Sequence, residues 1–264
     1  MIVYEKRVIC FIDILGFKSH IDKSIQDENH IETISIALDA ISDVMDMEVD
    51  DAKYRNIDVN VTQFSDSVVL SYDINGDDQL AFVIMSISTM VSRLLQYGFL
   101  LRGAITQGKV IHTNKQLFGP AMNEAYELES EHACYPRIIV PRKVFERATF
   151  STDVGDMAKS RVLYNCTMDE DGWYFIDYIS SDRCYSDAKN HMQDLQILCK
   201  IIDNNIETSE KSILKKYAWL NTKLSHELTI TKDTYPNMSK EELELLATLK
   251  EQIAKFDTAI NYSY

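Results

Sequence analysis

Two kinds of hydrophobic pattern dominate the first part of the chain. Residues 8–15 are almost continuously apolar and end at Gly16, which predicts a buried central strand. Residues 57–63 alternate apolar and polar side chains, and a second apolar run, 68–74, follows a tight turn at Ser65-Asp66. This pair predicts a β-hairpin, although Ser-Asp is a weaker turn signal than Asn-Gly.

Later apolar positions recur at helical spacing. They predict helices within 34–45 and 80–95, and a helix from Pro120 to about residue 130. Residues 100–113 are typical of a strand or hairpin, whereas 137–140 and 173–179 are typical of short strands with weak structure between them. The order strand, helix, strand, strand, helix, strand, helix, strand favours an α+β or α/β arrangement, with helices packed on one sheet.

From about residue 187 the pattern is helical only. We predict a domain over 1–186 and a helical appendage over 187–264. Ser239-Lys-Glu-Glu242 predicts a capping box, in which a Ser and a Glu three residues apart bond each other's backbone amides. The stripe that follows, spaced alternately three and four residues, could pack within the appendage or on a partner chain. It comprises Leu246, Leu249, Ile253, Phe256 and Ile260.

Composition and charge narrow the function classes. The chain has 264 residues, is 45% hydrophobic and carries a net charge of −14. That charge argues against nucleic acid and anionic membranes as partners, since both favour a basic face. Five cysteines without a CxxC pair, a charged N-terminus and no uncharged apolar segment longer than 80–92 predict a soluble cytoplasmic protein. The six histidines lack metal-ligand spacing and are interpreted as surface or packing residues.

Asp13 and Asp66 are the candidate chemical groups. Each lies next to an apolar, strand-like run. If they meet in space, they would form a site for divalent cations that carry a nucleoside triphosphate. The alternatives are a strand-end carboxylate at Asp13, which would be costly to bury without a partner, and an ordinary turn residue at Asp66.

Four motifs in order resemble the class III nucleotide cyclase homology domain. They cover roughly residues 7–150 and read Phe11-Ile-Asp-Ile-Leu-Gly-Phe17, Phe64-Ser-Asp-Ser-Val68, Leu101-Arg-Gly-Ala-Ile-Thr-Gln-Gly-Lys-Val110 and Phe118-Gly-Pro-Ala-Met-Asn-Glu-Ala-Tyr-Glu-Leu128. The resemblance implies an α+β fold, with a ferredoxin-like cyclase-homology sheet and helices packed on it. The C-terminal helices have no counterpart in that family.

The resemblance also implies a reaction and a site. A nucleoside triphosphate would become a 3′,5′-cyclic nucleotide and pyrophosphate with two Mg²⁺ or Mn²⁺ ions per site, held by Asp13, Asp66 and the backbone carbonyl of Ile14. Asn123 would orient the ribose. A homodimer with composite active sites is implied as well. The remaining predicted contacts are to the phosphates, from Gly16, Phe17 and Lys18, where Lys18 replaces the usual Thr.

Three positions depart from the family pattern. Thr62 stands where purine cyclases carry a base-reading Lys or Glu, and Gln116 stands at the second base-reading position. Both can donate and accept hydrogen bonds, but they match neither purine code. Glu127 replaces the transition-state arginine. The candidates for a substitute cation are Arg102, which we place in the catalytic set, Arg137 and Lys18.

The purine-code mismatch has a second interpretation. Three segments, Leu117-Phe-Gly-Pro120, Glu124-Ala-Tyr-Glu-Leu128 and Tyr135-Pro-Arg-Ile-Ile-Val140, resemble the pyrimidine cyclases of bacterial anti-phage signalling (the Pycsar type). This resemblance implies CTP or UTP as substrate. The first alternative is a catalytically degenerate cyclase-homology module that binds a nucleotide or only dimerises, which Glu127 favours. The second is a relative of diguanylate cyclases or polymerase palms. The lack of a Gly-Gly-Asp/Glu-Glu-Phe turn at Asp66 counts against this second alternative.

Overall fold

The computed structural model describes residues 2–44, 57–181, 187–205 and 210–261, with side chains up to residue 256 in the last range. The contacts divide the chain into two compact units, Met1–Asp177 and Tyr178–Tyr264. The first unit contains the sheet and the second is helical. The predicted domain boundary after residue 186 remains a prediction.

The first unit is built on an eight-stranded sheet of order β2-β3-β1-β4-β6-β8-β7, with β5 paired to β4. The predicted run at 8–15 forms the central strand β1, which lies antiparallel between β3 and β4. Strands β4 and β6 are parallel. The strand bounds are β1 Glu5–Leu15, β2 Asp58–Phe64, β3 Ser67–Asp73, β4 Leu100–His112, β5 Leu117–Phe118, β6 Ile138–Val140, β7 Cys166–Met168 and β8 Tyr174–Ile176.

The first four long strands have ferredoxin-like topology. A helical connection follows β1, the β2–β3 hairpin follows, and a helix leads to β4, which gives the spatial order β2-β3-β1-β4. The predicted α+β class, a mixed sheet with helices packed on it, is confirmed. The helices of this unit are α1 Phe17–Gln26, α2 Glu28–Ser42, α3 Asp77–Gln96, α4 Pro120–Glu127, α5 Arg142–Phe150 and α6 Asp156–Asn165.

Helix α4 covers one face of the central strands. Its Ala121 and Ala125 pack with Ile9, Phe11 and Val69 of β1 and β3. Side chains two residues apart on a strand point to the same face of the sheet. Phe11 packs against α4, so Asp13 projects on the α4 side as well. The side chains on the other face are buried as well, among them Val8, Cys10, Ile12, Leu70 and Tyr72.

Several elements differ from the sequence-based predictions. The hydrophobic pattern did not predict helices α5 and α6 or strands β5 and β7, and the start of α1 at Gly16 and Phe17 was implied only by the family resemblance. Helix α6, for example, buries only Val162 fully, so it lacks an apolar stripe that a pattern could reveal. The segment at 100–113 is one long strand, and α4 ends at Glu127, followed by a π-helical turn over Leu128–His132.

Helix α3 is long and apolar enough to cross a membrane by length and composition. The longest uncharged apolar segment, 80–92, lies inside this helix and is shorter than a membrane span. Most of this helix is buried, and it contacts α2, α5, α6, β4 and β8. It is therefore the core helix of the first unit.

The second unit contains the helices α7 Ala188–Asp203, α8 Lys211–Thr234 and α9 Lys240–Asn261, which pack on one another. The predicted capping box is present, because Ser239 N–H donates to Glu242 Oε2 at 2.6 Å and Glu242 N–H donates to Ser239 Oγ at 3.2 Å. Leu246, Leu249, Ile253 and Phe256 of the predicted stripe are buried. The side chain of Ile260 lies outside the described residues, as does Met45 of the first predicted helix.

Candidate active site

Asp13, near the end of β1, and Asp66, in the turn between β2 and β3, lie at the same end of the sheet. The β1–β3 register pairs Asp13 with Ser67, and the backbone N–H of Ile14 donates to the carbonyl of Asp66 at 2.9 Å. The turn that carries Asp66 is tight, since Ser65 adopts a left-handed φ of 55°. The backbone therefore brings together the three residues that the resemblance assigns to a metal site.

Arg102 is a cation in direct contact with Asp13. It lies directly opposite Asp13 in the β1–β4 ladder, and its Nη2 is 3.0 Å from Asp13 Oδ2. The same Nη2 is 2.5 Å from Oε1 of Glu129. Two carboxylates thus converge on one guanidinium nitrogen. The side chains of Arg102, Asp13 and Glu129 are 23%, 14% and 5% exposed.

Sequence reasoning missed Glu129, although a signal exists. Ala121 and Ala125 form the buried face of α4, and Glu129 is the next residue in the same i, i+4 series. A glutamate in such a series implies a buried carboxylate that needs a cationic partner. Its neighbours Glu127 and Glu131 are exposed. Glu129 therefore lies among glutamates that are typical of a solvent-exposed helix surface, and its burial was overlooked.

The N-terminus of α1 follows directly on this cluster. Gly16 caps the helix in a left-handed conformation, with φ 70°, and no side chain bonds the first amides. The N–H groups of a helix N-terminus attract anions such as phosphate. Phe17 is buried and anchors the helix, whereas Lys18 is exposed. The described geometry therefore puts an anion-binding helix end next to the carboxylates.

The two predicted base-reading residues are in different environments. Thr62 lies on edge strand β2, on the α4 face, and its Oγ1 is 2.8 Å from Nε2 of His112. Gln116 lies in the turn between β4 and β5, and its backbone bonds Thr113 while its side chain is exposed. His112 was predicted to be a surface or packing residue. It is buried, and it also forms hydrogen bonds through both ring nitrogens.

His112 is held neutral. Burial, and next the positive charge of Arg7, lower the pKa of His112 to about 4. A neutral imidazole has one nitrogen that donates and one that accepts. Its contacts, Thr62 at one nitrogen and Ser71 at the other, are therefore directional.

Asn123 and Glu127 lie on the outer face of α4. Ala121 faces the sheet, and two helical residues advance by about 200°, so Asn123 points away from the strands. Both Asn123 and Glu127 are exposed. Within one chain, Asn123 and Glu127 therefore face away from the strands that carry Asp13 and Arg102.

Arg137 is engaged elsewhere. It is fully buried, forms ion pairs with Asp169 and Asp171, and stacks over the Tyr135 ring at 4.9 Å. Of the candidate substitute cations, the structure puts Arg102 beside Asp13 and leaves Lys18 exposed nearby. Arg137 belongs to a separate cluster.

The donor set at the end of β1 consists of hard oxygen atoms. Within the described ranges, no group of three or more His, Cys, Asp or Glu side chains is arranged to hold a metal. Mg²⁺, however, is commonly bound by one or two carboxylates together with substrate phosphates. The position that Arg102 Nη2 occupies between two carboxylates also shows that positive charge is accommodated there.

Fold and site together define an α+β protein of ferredoxin-like topology with a carboxylate–arginine cluster beside a helix N-terminus. No protein-family model matches the chain, and no curated protein matches it. A solved structure of an adenylate/guanylate cyclase/hydrolase from Silicibacter pomeroyi is similar at 13% identity and a TM-score of 0.38. The match covers 66% of this chain and 98% of that one. Such a likeness concerns the overall fold and does not bear on the site.

Proposed function

We propose that this protein is a nucleotidyl cyclase that converts CTP or UTP to the 3′,5′-cyclic nucleotide and pyrophosphate. The ribose 3′-oxygen attacks the α-phosphorus, its proton leaves, and the bond to the bridging oxygen of pyrophosphate breaks. Because the attack is intramolecular, the protein contributes mainly by positioning and charge stabilisation. We further propose that it acts in the cytoplasm, in anti-phage signalling.

The observation that carries this proposal is the bond between Ile14 N–H and the Asp66 carbonyl. It holds the turn with Asp66 against the end of β1, beside Asp13 and the first amides of α1. Carboxylates, a cation and a helix N-terminus thus share one end of the sheet. This combination suits a triphosphate that must be held, neutralised and split.

Two Mg²⁺ or Mn²⁺ ions per site fit the oxygen donors. Asp13, Asp66 and the Ile14 carbonyl would hold them; when bound, they acidify the 3′-hydroxyl and neutralise the triphosphate. We propose that Arg102 leaves Asp13 as the cations bind and then faces the phosphates, where the family arginine is missing. The amides of Gly16 and Phe17 and the Lys18 ammonium would contact phosphate oxygens.

Base selection is assigned to Thr62 and Gln116. Neither residue carries charge, and both can donate and accept hydrogen bonds. Neither reproduces the charged lysine or glutamate by which the purine cyclases read their base. This difference supports a pyrimidine substrate.

Asn123 supports a homodimer with composite sites. Because it lies on the outer face of α4, it can reach a nucleotide only from a second chain. Exposed aromatic side chains on β2, β5 and α4 are suited to such an interface, namely Phe64 (64% exposed), Phe118 (45%) and Tyr126 (57%).

A second function, a nucleotide-binding or dimerising module without turnover, is favoured by one observation. The ion pair between Arg102 and Asp13 occupies the carboxylate that a cation would need. If the pair does not open, the site binds a nucleotide without cleaving it.

Turnover assays separate the two. The purified protein is incubated with ATP, GTP, CTP and UTP and Mn²⁺, and the products are identified by mass spectrometry. We expect a cyclic monophosphate from CTP or UTP. Cyclic AMP or cyclic GMP would overturn the pyrimidine assignment, and nucleotide binding without any product would favour the module.

Matched variants test the aspartates. Asp66→Asn preserves the backbone bond to Ile14 and should abolish turnover, as should Asp13→Asn. Asp73→Asn, an exposed change at the other end of β3, is the control and should leave turnover unchanged. Turnover in both site variants would contradict the proposed metal ligands.

Subunit mixing tests the composite site. Combining an Asp66→Asn chain with an Asn123→Ala chain should restore part of the activity, because one of the two sites in a mixed dimer is then intact. Failure of rescue after demonstrated subunit exchange would mean that each chain carries a complete site.

A further inference from the structure

A chain of hydrogen-bonded side chains crosses four strands and ends at Thr62. Arg7 Nε lies 3.1 Å from Ser71 Oγ, and Ser71 Oγ lies 2.8 Å from His112 Nδ1. His112 Nε2 in turn lies 2.8 Å from Thr62 Oγ1. His112 lies beyond the last paired residues of β1 and β4, so its ring reaches over to β3 and β2.

The direction of the first bond follows from the arginine. A guanidinium can only donate, so Ser71 Oγ accepts from Arg7. Arg7 and Ser71 are both buried. The remaining guanidinium nitrogens of Arg7 are fixed by Glu5 at 3.2 Å and by Asp58 at 2.8 Å, so the head group has one orientation.

The Ser71 hydroxyl fixes the second bond. Within the part of the chain that the structure describes, its only other hydrogen-bond neighbour is Nδ1 of His112. A buried O–H without an acceptor costs about 1–3 kcal/mol, so Ser71 donates to Nδ1. The Nδ1 atom of His112 is therefore an acceptor.

The third bond is then determined. Because His112 is neutral, with a pKa lowered to about 4, an acceptor at Nδ1 requires the hydrogen at Nε2. Nε2 donates to Thr62 Oγ1, so the hydrogen of the Thr62 hydroxyl remains available to donate to another acceptor. Thr62 is partly exposed, and the structure gives its side chain no other bond among the described residues.

We propose that His112 is a positioning residue that orients Thr62 as a hydrogen-bond donor, and that the site takes a nucleobase with an acceptor at the contacted position. The inference rests on the proposed function, in which Thr62 faces the base. The acceptor would be O2 of either pyrimidine, N3 of cytosine or O4 of uracil. An amino group at that position would leave the threonine hydrogen unbonded.

A double-mutant cycle tests the relay, the series of hydrogen bonds from Arg7 through Ser71 and His112 to Thr62. We measure kcat/KM for CTP and UTP in the wild type, Thr62→Val, His112→Phe and the double variant. Thr62→Val removes the hydroxyl at constant shape and should cost about tenfold with the preferred nucleotide. His112→Phe should cost about three- to tenfold, and the double variant should be no worse than Thr62→Val alone. Additive losses, or no loss in Thr62→Val, would overturn the proposal.

The conservative variant separates positioning from packing. His112→Gln keeps an acceptor oxygen and an N–H donor, so it should recover activity that His112→Phe loses. An equal loss of kcat/KM in His112→Phe and His112→Gln would indicate that the imidazole ring only packs in the interior, and would overturn the proposal. A loss shared by CTP and UTP identifies the O2 atom, and a loss with one nucleotide identifies N3 of cytosine or O4 of uracil.

Nitrogen-15 NMR of the imidazole tests the bond direction without any activity. At pH 7 we expect the neutral tautomer with hydrogen at Nε2 of His112. Hydrogen at Nδ1 would reverse the relay and overturn the proposal. A wild type without turnover would contradict the proposed function, whereas the tautomer would still decide the relay, and weaker binding of CTP or UTP to Thr62→Val would still decide the ligand contact.

Discussion

Two arginines, Arg102 on β4 and Arg137 directly before β6, each bind two carboxylates, but only one of them is accessible. Arg102, next to Asp13 and Glu129, has a side chain that is 23% exposed. Arg137 is completely buried and its partner Asp169 is buried as well, whereas its second partner, Asp171, is 40% exposed. The parallel register of β4 and β6, with Gly103 opposite Ile138, puts the two arginines at the same level of the sheet.

The difference separates a structural cluster from a candidate functional one. A buried ion pair cannot exchange its partner without leaving a charge unsolvated, whereas a partly exposed pair can exchange its partner for a ligand. The Arg137 cluster also lies against aromatic rings, Tyr135 at 4.9 Å and Phe175 at 5.9 Å. Burial, more than the kind of residue, therefore distinguishes the two roles.

The largest expected effect is on stability at the buried cluster. Arg137→Met leaves Asp169 charged in the interior and should lower the free energy of unfolding by about 3–5 kcal/mol. Urea denaturation measures this quantity. The control is Arg142→Met, which removes an exposed pair with Glu146 and should cost less than about 0.5 kcal/mol. Equal losses of unfolding free energy in Arg137→Met and Arg142→Met would contradict the structural role of the buried cluster.

The next effect is on turnover at the accessible cluster. Arg102→Met should lower kcat by about 10²–10³-fold, because it removes the guanidinium that contacts Asp13 and is proposed to face the phosphates. Its cost in unfolding free energy should be smaller than that of Arg137→Met. Higher kcat in Arg102→Met would mean that the arginine only blocks Asp13.

The strand framework of this comparison could be predicted from the sequence. The continuous apolar run of β1 and the alternating hairpin that follows it are local patterns; they favoured an α+β or α/β arrangement, and the family resemblance implied α+β. The same patterns put Asp13 and Asp66 each next to an apolar, strand-like run, whereas only the resemblance implied that the two residues share a site. Local signals sufficed because each of these elements is long and buries a regular face.

The partners of those residues could not be predicted in the same way. Glu129 reaches Arg102 only because the helix that carries it folds back on β4, and His112 reaches Thr62 across 50 residues of sequence. Such contacts depend on tertiary packing, which no local period encodes. The outward direction of Asn123 could have been derived from the small residues Ala121 and Ala125 that flank it.

A smaller effect is expected at the glycine between the two clusters. A Cβ at Gly103 would lie 2.2 Å from the carbonyl oxygen of Phe11, and Gly103 N–H donates to the Arg137 carbonyl at 3.2 Å. Gly103→Ala must therefore push β1 and β4 apart and should cost about 1–3 kcal/mol in unfolding free energy. Gly155→Ala, with open space around its Cβ, is the control. A similar small change in both variants would show that the strands tolerate the shift.

The smallest expected effect is the response of the two clusters to salt. Raising NaCl from about 0.1 M to about 1 M shortens the screening length from about 10 Å to about 3 Å, but only for charges that solvent reaches. The stability cost of Arg102→Met should therefore shrink by roughly 0.5 kcal/mol, whereas that of Arg137→Met should change less, because Arg137 and Asp169 are buried. Urea denaturation of both variants at the two salt concentrations measures the difference. If both costs fell alike, the Arg137 cluster would be open to ions, and burial would no longer explain why only Arg102 can change partners.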